Sequence, residues 1–279
     1  MFENIILGAI QGIAEWLPVS SEGLLVLAKI NWFESTAPLA EILQQALWLH
    51  LGTFLAALVY FRKEVWKLIQ TLPRFRSTRG GLSTRGGLSA SGGSQENRNT
   101  LKFLITATLI SGMMGWTLFV LISELGNQLA VTGRILTLAL GGLLLVTGFL
   151  QIRAKDLGLK TRQNLTTGDG ILLGIVQGLA ALPGLSRSGL TVSTLLLRQF
   201  DKAEALKLSF LMGLPIVLGG NIVLNFHSTF PTPEQLVGLA TAFLLGLLTI
   251  HGLLKLAHRL NFGYFVLLFG GLTVLAAVV

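Results

Sequence analysis

The stretch PGLSRSGLT, residues 183–191, decides how this chain is organised. It places one arginine, Arg187, and three hydroxyl groups in a turn between two apolar runs. A cation at membrane depth costs between about 2.5 and more than 10 kcal/mol, so it rarely occurs there without a partner. The apolar run after Gly189 predicts a helix whose first N–H groups point into the same turn. We therefore expect an oxyanion site, with phosphate as the ligand; the alternative is a turn whose arginine lies in a headgroup layer.

The side chains of this turn suit such a ligand. A guanidinium offers a planar fork of donors that matches phosphate, and hydroxyl groups add donors of adjustable direction. The predicted phosphate-binding side chains of this turn are Arg187, Ser186, Ser188 and Thr191.

A second copy of the pattern lies near the start of the chain. When the sequence is shifted so that Gly8–Ala14 lies over Gly174–Ala180, the register continues without a gap, and Ser20 meets Ser186. Paired, glycine-interrupted apolar segments in two halves point to a binding site built from broken helices at the bilayer midplane. The two halves differ in the charged residue that each brings to this site: the first contributes the carboxylate Glu15 and the second contributes Arg187.

Composition places the chain among integral membrane proteins. Its mean hydropathy is +0.70, 52% of its residues are hydrophobic and 12% are charged. Cysteine is absent, which excludes a disulfide framework and thiol chemistry. The net charge of +8 lies in short loops between apolar runs, as topology signals do, so a nucleic-acid partner is not expected.

The apolar runs predict an all-α polytopic membrane protein with an inverted-topology repeat. Each half has one re-entrant helical hairpin and three transmembrane helices, since segments broken near Pro18 or Pro183 are too short to cross about 30 Å of hydrocarbon. The first repeat, 1–152, comprises the hairpin 1–33 and spans 40–61, 101–123 and 133–152. The second repeat, 169–279, comprises the hairpin 169–200 and spans 205–225, 236–254 and 261–279.

Basic residues predict the orientation of these spans. They cluster in the loops around residues 62–102 and 153–162 and after the second hairpin, and short cytoplasmic loops collect such residues. Both termini should then lie outside, and the two hairpin tips should meet near the middle of the membrane. Within the first loop, the Gly/Ser-rich residues 74–100 predict a flexible cytoplasmic segment without a catalytic role; alternatively, its arginines attract anionic lipid.

Two motifs now carry a family resemblance. The segment QGIAEWLPVSS, residues 11–21, resembles the first signature of the bacterial undecaprenyl-diphosphatase (bacitracin-resistance) family, and PGLSRS with Thr191 is similar to its second signature. The segment LHLGT, residues 49–53, is also similar to a stretch of many members. The resemblance covers nearly the whole chain except 74–100. It implies a bacterial inner (plasma) membrane enzyme that removes the terminal phosphate from a C55 isoprenyl diphosphate with a divalent cation, Mg²⁺ or Ca²⁺.

The same resemblance implies roles for individual residues. Glu15 is the essential carboxylate. Since Mg²⁺ and Ca²⁺ prefer oxygen donors, Glu15 is also the expected metal ligand; Glu22 is a second candidate ligand, or it faces the headgroup region. Ser21 is a nucleophile or a phosphate ligand, beside Ser20, and Arg187 binds phosphate. Gln11 stands where members have Glu or Gln; for Gln11 and Gln177, substrate binding competes with a structural role, hydrogen bonding across the broken helices.

One position departs from the family pattern. Many members have His after the glycine that ends the first signature, and this chain has Leu24. A mechanism that requires this histidine is therefore in doubt here. His50 either takes up part of its role or is a packed residue of a helix interior. The nucleophile also stays open: Ser21 attacks with Glu15 as base, or Glu15 and a metal activate water.

A competing function uses the same architecture. Secondary transporters also combine inverted repeats with broken helices, so a lipid-phosphate flippase or anion transporter is the alternative to a hydrolase. A transporter has no evident need of Glu15 opposite Arg187, which favours the hydrolase. Neither class fixes the oligomeric state, for which a homodimer is one option.

Overall fold

The computed structural model describes residues 1–76, 91–129, 133–154, 158–182, 184–225 and 231–278. Pro183 and the central part of the predicted flexible loop, 77–90, lie outside these ranges. The described chain forms eleven α-helices and one short 3-10 helix, Arg162–Asn164. The helices are α1 Phe2–Ala14, α2 Ser21–Asn31, α3 Leu39–Tyr60, α4 Arg62–Arg76, α5 Ser91–Leu129, α6 Gly133–Arg153, α7 Thr167–Leu179, α8 Arg187–Leu197, α9 Lys202–Leu224, α10 Pro233–Arg259 and α11 Gly263–Val278.

Five of these helices are long and apolar enough to cross a membrane, namely α3, α5, α6, α9 and α10. The predicted class, an all-helical polytopic membrane protein, is thereby confirmed. The apolar helix α11 has 16 residues, which corresponds to about 24 Å and is shorter than a usual span. The direction in which each helix crosses the membrane, and with it the inversion of the repeat, stays a prediction.

Both predicted hairpins are broken where the sequence places serine before glycine. The helix α1 ends at Ala14, and α2 begins after Ser20, whose hydroxyl accepts the Gly23 N–H at 3.1 Å. In the second hairpin the Ser186 hydroxyl accepts the Gly189 N–H, also at 3.1 Å, at the start of α8. A serine N-cap of this kind stabilises a helix start by about 1 kcal/mol.

Side chains satisfy backbone groups that these breaks leave free. The Gln151 amide on α6 donates to the Pro18 carbonyl at 2.5 Å, and the Ser188 hydroxyl donates to the Leu17 carbonyl at 3.2 Å. In the second break, the Ser186 N–H donates to the Thr147 hydroxyl at 3.4 Å. Non-helical backbone at membrane depth is tolerated only with such partners. The helix α6 therefore supports both hairpins.

Each hairpin packs its first helix against a long helix of the other half. The helix α1 lies along α10, and α7 lies along α5. The two pairs correspond in element order, because α1 and α7 begin the two predicted halves and α5 and α10 carry the second predicted span of each; α3 with α9 and α6 with α11 also pack together. This correspondence supports the predicted repeat.

Glycines allow these helices to approach closely. A Cβ atom added to Gly12 on α1 would lie 2.8 Å from the Ala242 carbonyl oxygen on α10. A Cβ atom on Gly178, its counterpart on α7, would lie 2.6 Å from the Met114 Cβ on α5. Small residues at such contacts are typical of helix packing in membranes.

A buried arginine joins the connection between the halves to two helices. Arg162 donates to Glu204 on α9 at 2.8 Å and to Glu64 on α4 at 3.0 Å, and it is 5% exposed. Burial alone would lower the pKa of Arg162, but the Glu204 and Glu64 carboxylates outweigh it and the pKa is raised. The sequence marked this residue only as a topology signal, whereas it is part of an ion-pair cluster.

The predicted loop 74–100 is shorter than expected. Residues 74–76 belong to α4, which sequence analysis did not predict, and residues 91–100 belong to α5. Contacts distant in sequence stabilise this polar start of α5, because Asn99 donates to the Gln163 carbonyl at 3.2 Å and Thr100 is fully buried. A prediction from local composition could not include them.

The close approach of α1 to α10 gives a test by thermal unfolding in detergent. Gly12→Ala should lower the unfolding free energy by about 1–3 kcal/mol, because its methyl group would overlap backbone atoms of α10. Gly252→Ala on α10 is the matched control: its added Cβ meets nothing within 4 Å, and alanine favours a helix over glycine. Equal melting temperatures for the two variants would contradict this packing.

Candidate active site

The predicted site residues surround a cavity of about 440 Å³. Its polar end is formed where the two hairpin breaks meet, with Glu15, Ser21 and Arg187 in its lining. The walls that lead away from this end are apolar and come from α3, α5 and α9. They include Leu43, Leu47, Trp116, Phe119, Val223 and Leu224. The cavity thus has one charged end and a long apolar part, so it matches an amphiphilic ligand.

The Glu15 carboxylate is the centre of the polar end. It follows the last residue of α1 and is 7% exposed. One of its oxygens, Oε1, accepts a hydrogen bond from Arg187 Nη2. The other, Oε2, accepts from Ser21 Oγ at 2.8 Å and from Gln11 Nε2 at 3.1 Å. The structure therefore brings together the three predicted catalytic residues, which come from three different helix ends.

Arg187 begins α8 and reaches across to the other hairpin. Its Nη1 is buried and has no hydrogen-bond partner within the described part of the chain, so the guanidinium keeps an unused donor. The guanidinium lies against the Cα of Gly213 on α9, where an added Cβ would overlap it. Gly213 therefore sets the position of the arginine, although nothing in its local sequence marked it.

The remaining predicted hydroxyl groups have different surroundings. Ser20 and Ser188 line the cavity, and Ser20 also caps α2. Ser186 is a cap and lies 3.4 Å from the Ser188 hydroxyl. Thr191 is fully buried and does not line the cavity; its hydroxyl lies 2.7 Å from that of Ser209 and ties α8 to α9.

The structure places His50 beside the catalytic carboxylate. Its Nε2 lies 3.3 Å from Glu15 Oε2, and its Nδ1 donates to the Ala46 carbonyl at 2.7 Å. With Nδ1 protonated, a hydrogen bond to Glu15 requires a second proton on the ring. Leu24 packs against the apolar cluster of Ala14 and Val19. The imidazole next to Glu15 in this chain thus comes from α3.

The two predicted glutamines occupy corresponding places in the two halves. Gln11 donates to Glu15 and, at 3.1 Å, to Thr53 on α3. Gln177 donates to Ser111 on α5 at 3.0 Å and lines the cavity. Both amides thus join a hairpin to a long helix. Both Oε1 atoms are buried without a partner in the described structure, so each could still accept a hydrogen bond.

The donor set bears on the predicted metal. Among the described residues, no group of three or more His, Cys, Asp or Glu side chains could hold a metal ion. Both oxygens of Glu15, the predicted ligand, already have partners. The Glu22 carboxylate lines the cavity and forms no ion pair or hydrogen bond within the described ranges. Mg²⁺ is commonly held by one or two carboxylates together with substrate phosphates, and Glu22 fits that pattern.

Comparison with known proteins identifies the family of this chain. A family model described as bacitracin resistance protein BacA matches residues 4–275. The chain belongs to this family. The resemblance seen in the two motifs is confirmed, and Glu15, Ser21 and Arg187 of these motifs meet in the cavity.

Several relatives of this BacA-family chain carry an enzyme name. A protein of Methanococcoides burtonii named undecaprenyl-diphosphatase is 38% identical over 275 residues, which cover 98% of this chain and 97% of that protein. Proteins of the same name from Haloarcula marismortui and Methanothrix thermoacetophila are 35% and 33% identical, and each match covers 97% of this chain and 94% of the relative.

The position of Arg187 can be tested through Gly213. Gly213→Ala should weaken the binding of inorganic diphosphate at least about tenfold, because the added methyl group displaces the guanidinium from its place beside Glu15. Calorimetric titration of the purified protein measures the affinity. Gly271→Ala on α11, outside the cavity lining and with nothing within 4 Å of the added Cβ, should bind as the unchanged protein does. Similar affinities of the two variants would show that Gly213 does not position the arginine.

Proposed function

We propose that this chain hydrolyses undecaprenyl diphosphate to undecaprenyl phosphate and inorganic phosphate, and so recycles a lipid carrier for cell-wall synthesis. The observation that carries the proposal is the contact among Glu15, Ser21 and Arg187 at the base of an apolar cavity. The relatives named undecaprenyl-diphosphatase support the choice of substrate.

The cavity suits both parts of this substrate. Its apolar walls accept the first isoprene units of the lipid, and the diphosphate lies at the polar end among Ser21, Arg187 and Ser188. The first turns of α2 and α8 add N–H groups and the positive ends of two helix dipoles. The longer remainder of the C55 chain extends into the bilayer.

Binding begins with an exchange of partners at Arg187. In the free protein its charge is paired with Glu15. The terminal phosphate takes the unused Nη1 donor first and then competes with Glu15 for Nη2, since a phosphate accepts the arginine fork bidentately. Glu15 loses a cationic partner in this exchange and becomes the stronger base toward Ser21.

The contact between Ser21 and Glu15 favours the serine route. Ser21 Oγ attacks the terminal phosphorus while Glu15 Oε2, 2.8 Å away, takes its proton. The bond from phosphorus to the bridging oxygen breaks, and undecaprenyl phosphate leaves with that oxygen. Glu15 passes its proton to the departing phosphate, and water then attacks the phosphoserine with Glu15 again as base. The bond from phosphorus to Ser21 Oγ breaks, inorganic phosphate is released, and Glu15 returns the proton to Ser21 Oγ.

The remaining charges of the site stabilise these steps. Arg187 compensates the negative charge on the phosphoryl oxygens, and His50 with Gln11 holds Glu15 in position for Ser21. Glu22 would hold a divalent cation together with the phosphate oxygens. Such a cation supplies additional charge neutralisation as the bridging oxygen leaves. Placement of the enzyme in the inner (plasma) membrane with both termini outside belongs to the same proposal.

The first test is phosphate release from a long-chain isoprenyl diphosphate by the purified protein, with Mg²⁺ or with a chelator. Arg187→Ala should lower turnover about a hundred- to a thousandfold, because the positive charge that stabilises the phosphoryl oxygens in the transition state is lost. Arg187→Lys should recover little of this loss, since an ammonium lacks the planar fork. The proposal is overturned if the protein releases no phosphate either with Mg²⁺ or with the chelator. Near-normal phosphate release by Arg187→Ala would overturn it as well.

The serine route is tested by Ser21→Ala. Turnover should fall by about a thousandfold or more, because the attacking oxygen is lost. Ser193→Ala, which removes a buried serine of α8 outside the cavity lining, should keep its activity. A loss of tenfold or less in Ser21→Ala would favour activated water as the nucleophile.

A further inference from the structure

A second cavity lies at the other end of the helices that form the main one. Along α3, the main cavity is lined by Leu43, Leu47 and His50, and the second by Tyr60 at the helix end. Along α9 the order is reversed in the chain: the main cavity is lined by residues near the end of the helix, from Pro215 to Leu224, and the second by residues near its start, such as Leu206 and Phe210. The ion pair between Glu15 and Arg187 belongs to the main cavity, and the described linings of the two cavities have no residue in common, so the second cavity is a separate site.

The second cavity has a volume of about 390 Å³, within the range of about 300–1,000 Å³ usual for small-ligand sites. Its wall is apolar and largely aromatic, from Phe61, Leu206, Phe210 and Leu254. Because it lies among α3, α9 and α10, all long enough to span a membrane, a hydrocarbon chain in the bilayer could reach this wall. The wall therefore suits the tail of a lipid.

The polar lining of this cavity is cationic. Lys207 and Lys255 both line it, and no carboxylate of the described residues does. Lys207 lies 3.3 Å from the Glu204 carboxylate, which also accepts a hydrogen bond from the buried Arg162 at 2.8 Å. One carboxylate shared between two cations leaves Lys207 largely available for an anion.

A tyrosine and a histidine complete the polar lining. The Tyr60 hydroxyl lies 3.1 Å from His251 Nδ1, and both residues line the cavity. Hydroxyl and imidazole groups can both hydrogen-bond a phosphate oxygen, whereas the two lysines supply the charge. Cations and hydrogen-bonding groups above an apolar wall form a complement to a phosphate group on a hydrocarbon tail.

We propose that this second cavity binds the phosphate headgroup of an anionic lipid, with its first tail carbons against Phe61 and Phe210. Basic pockets between transmembrane helices have this chemistry. The basic residues of the sequence predict that this end of the helices faces the cytoplasm. The ligand comes either from the isoprenyl monophosphate that the proposed reaction produces or from the phospholipids of the bilayer.

The test counts bound lipid by native mass spectrometry of the full chain in detergent, with a farnesyl monophosphate or dioleoyl phosphatidic acid as probe. Lys207→Gln with Lys255→Gln should weaken binding about thirtyfold, since each cation near an anionic lipid contributes about fivefold. The control pair Lys102→Gln with Arg259→Gln removes the same charge from exposed positions outside the cavity. Each pair is also combined with Arg187→Ala, which removes phosphate binding in the main cavity.

The outcomes separate this site from the proposed reaction. One bound lipid that persists in Arg187→Ala and is lost only with Lys207 and Lys255 establishes the second site. Preference for the farnesyl probe then identifies the reaction product as its ligand, and equal binding of both probes identifies bilayer lipid. Equal loss in the control pair, or loss of all binding in Arg187→Ala, overturns the proposal. Phosphate release should be unchanged by the paired lysine substitutions alone, whatever the result for binding.

Discussion

The ion pair between Glu15 and Arg187 is the interaction on which the rest of the site depends. Each residue lies at a break in a short apolar helix, and each would be strongly unfavourable there as an isolated charge. Removal of one partner from a buried pair typically destabilises a protein by about 3–5 kcal/mol. The pair can form only if the two hairpin tips meet. The packing of α1 on α10 and of α7 on α5 brings them to that meeting point.

The same pair explains how a charged site and an apolar cavity can be combined. The charges of Glu15 and Arg187 neutralise each other when no ligand is present. Few water molecules are therefore needed to solvate the polar end of the cavity. A phosphate that replaces Glu15 at Arg187 keeps the arginine paired and frees the carboxylate for proton transfer. The contacts of Glu15 with Ser21, Gln11 and His50 hold it in place during that exchange.

Much of this arrangement follows from local sequence. The runs of apolar residues predict the spans, and the serine caps before Gly23 and Gly189 set the starts of α2 and α8. The motifs also predict Glu15, Ser21 and Arg187 as one site, because the tips of the two hairpins that carry them are expected to meet near the middle of the membrane. These predictions depend on interactions within a few residues or on charge balance, and both can be read from one sequence.

Other features depend on contacts that no local pattern contains. Gly213 is one of many glycines in the chain, and only its contact with the Arg187 guanidinium distinguishes it. Thr191 belongs to a signature, yet its hydroxyl faces Ser209 instead of the cavity. A lone histidine in an apolar helix usually has a packing role, and His50 differs because α3 turns it toward Glu15. By sequence Arg162 is one of the loop cations, whereas in the structure it is buried and paired with two carboxylates that are distant in sequence.

The exchange of hairpins between the halves has a consequence for biosynthesis. Glu15 is synthesised long before Arg187, which follows it 172 positions later in the chain. Likewise, α1 is synthesised long before its packing partner α10. The first hairpin therefore enters the translocation machinery with an unneutralised carboxylate and an uncovered helix face. It can settle in its final place only after the second half has been made, so the nascent chain must be sheltered during most of its synthesis.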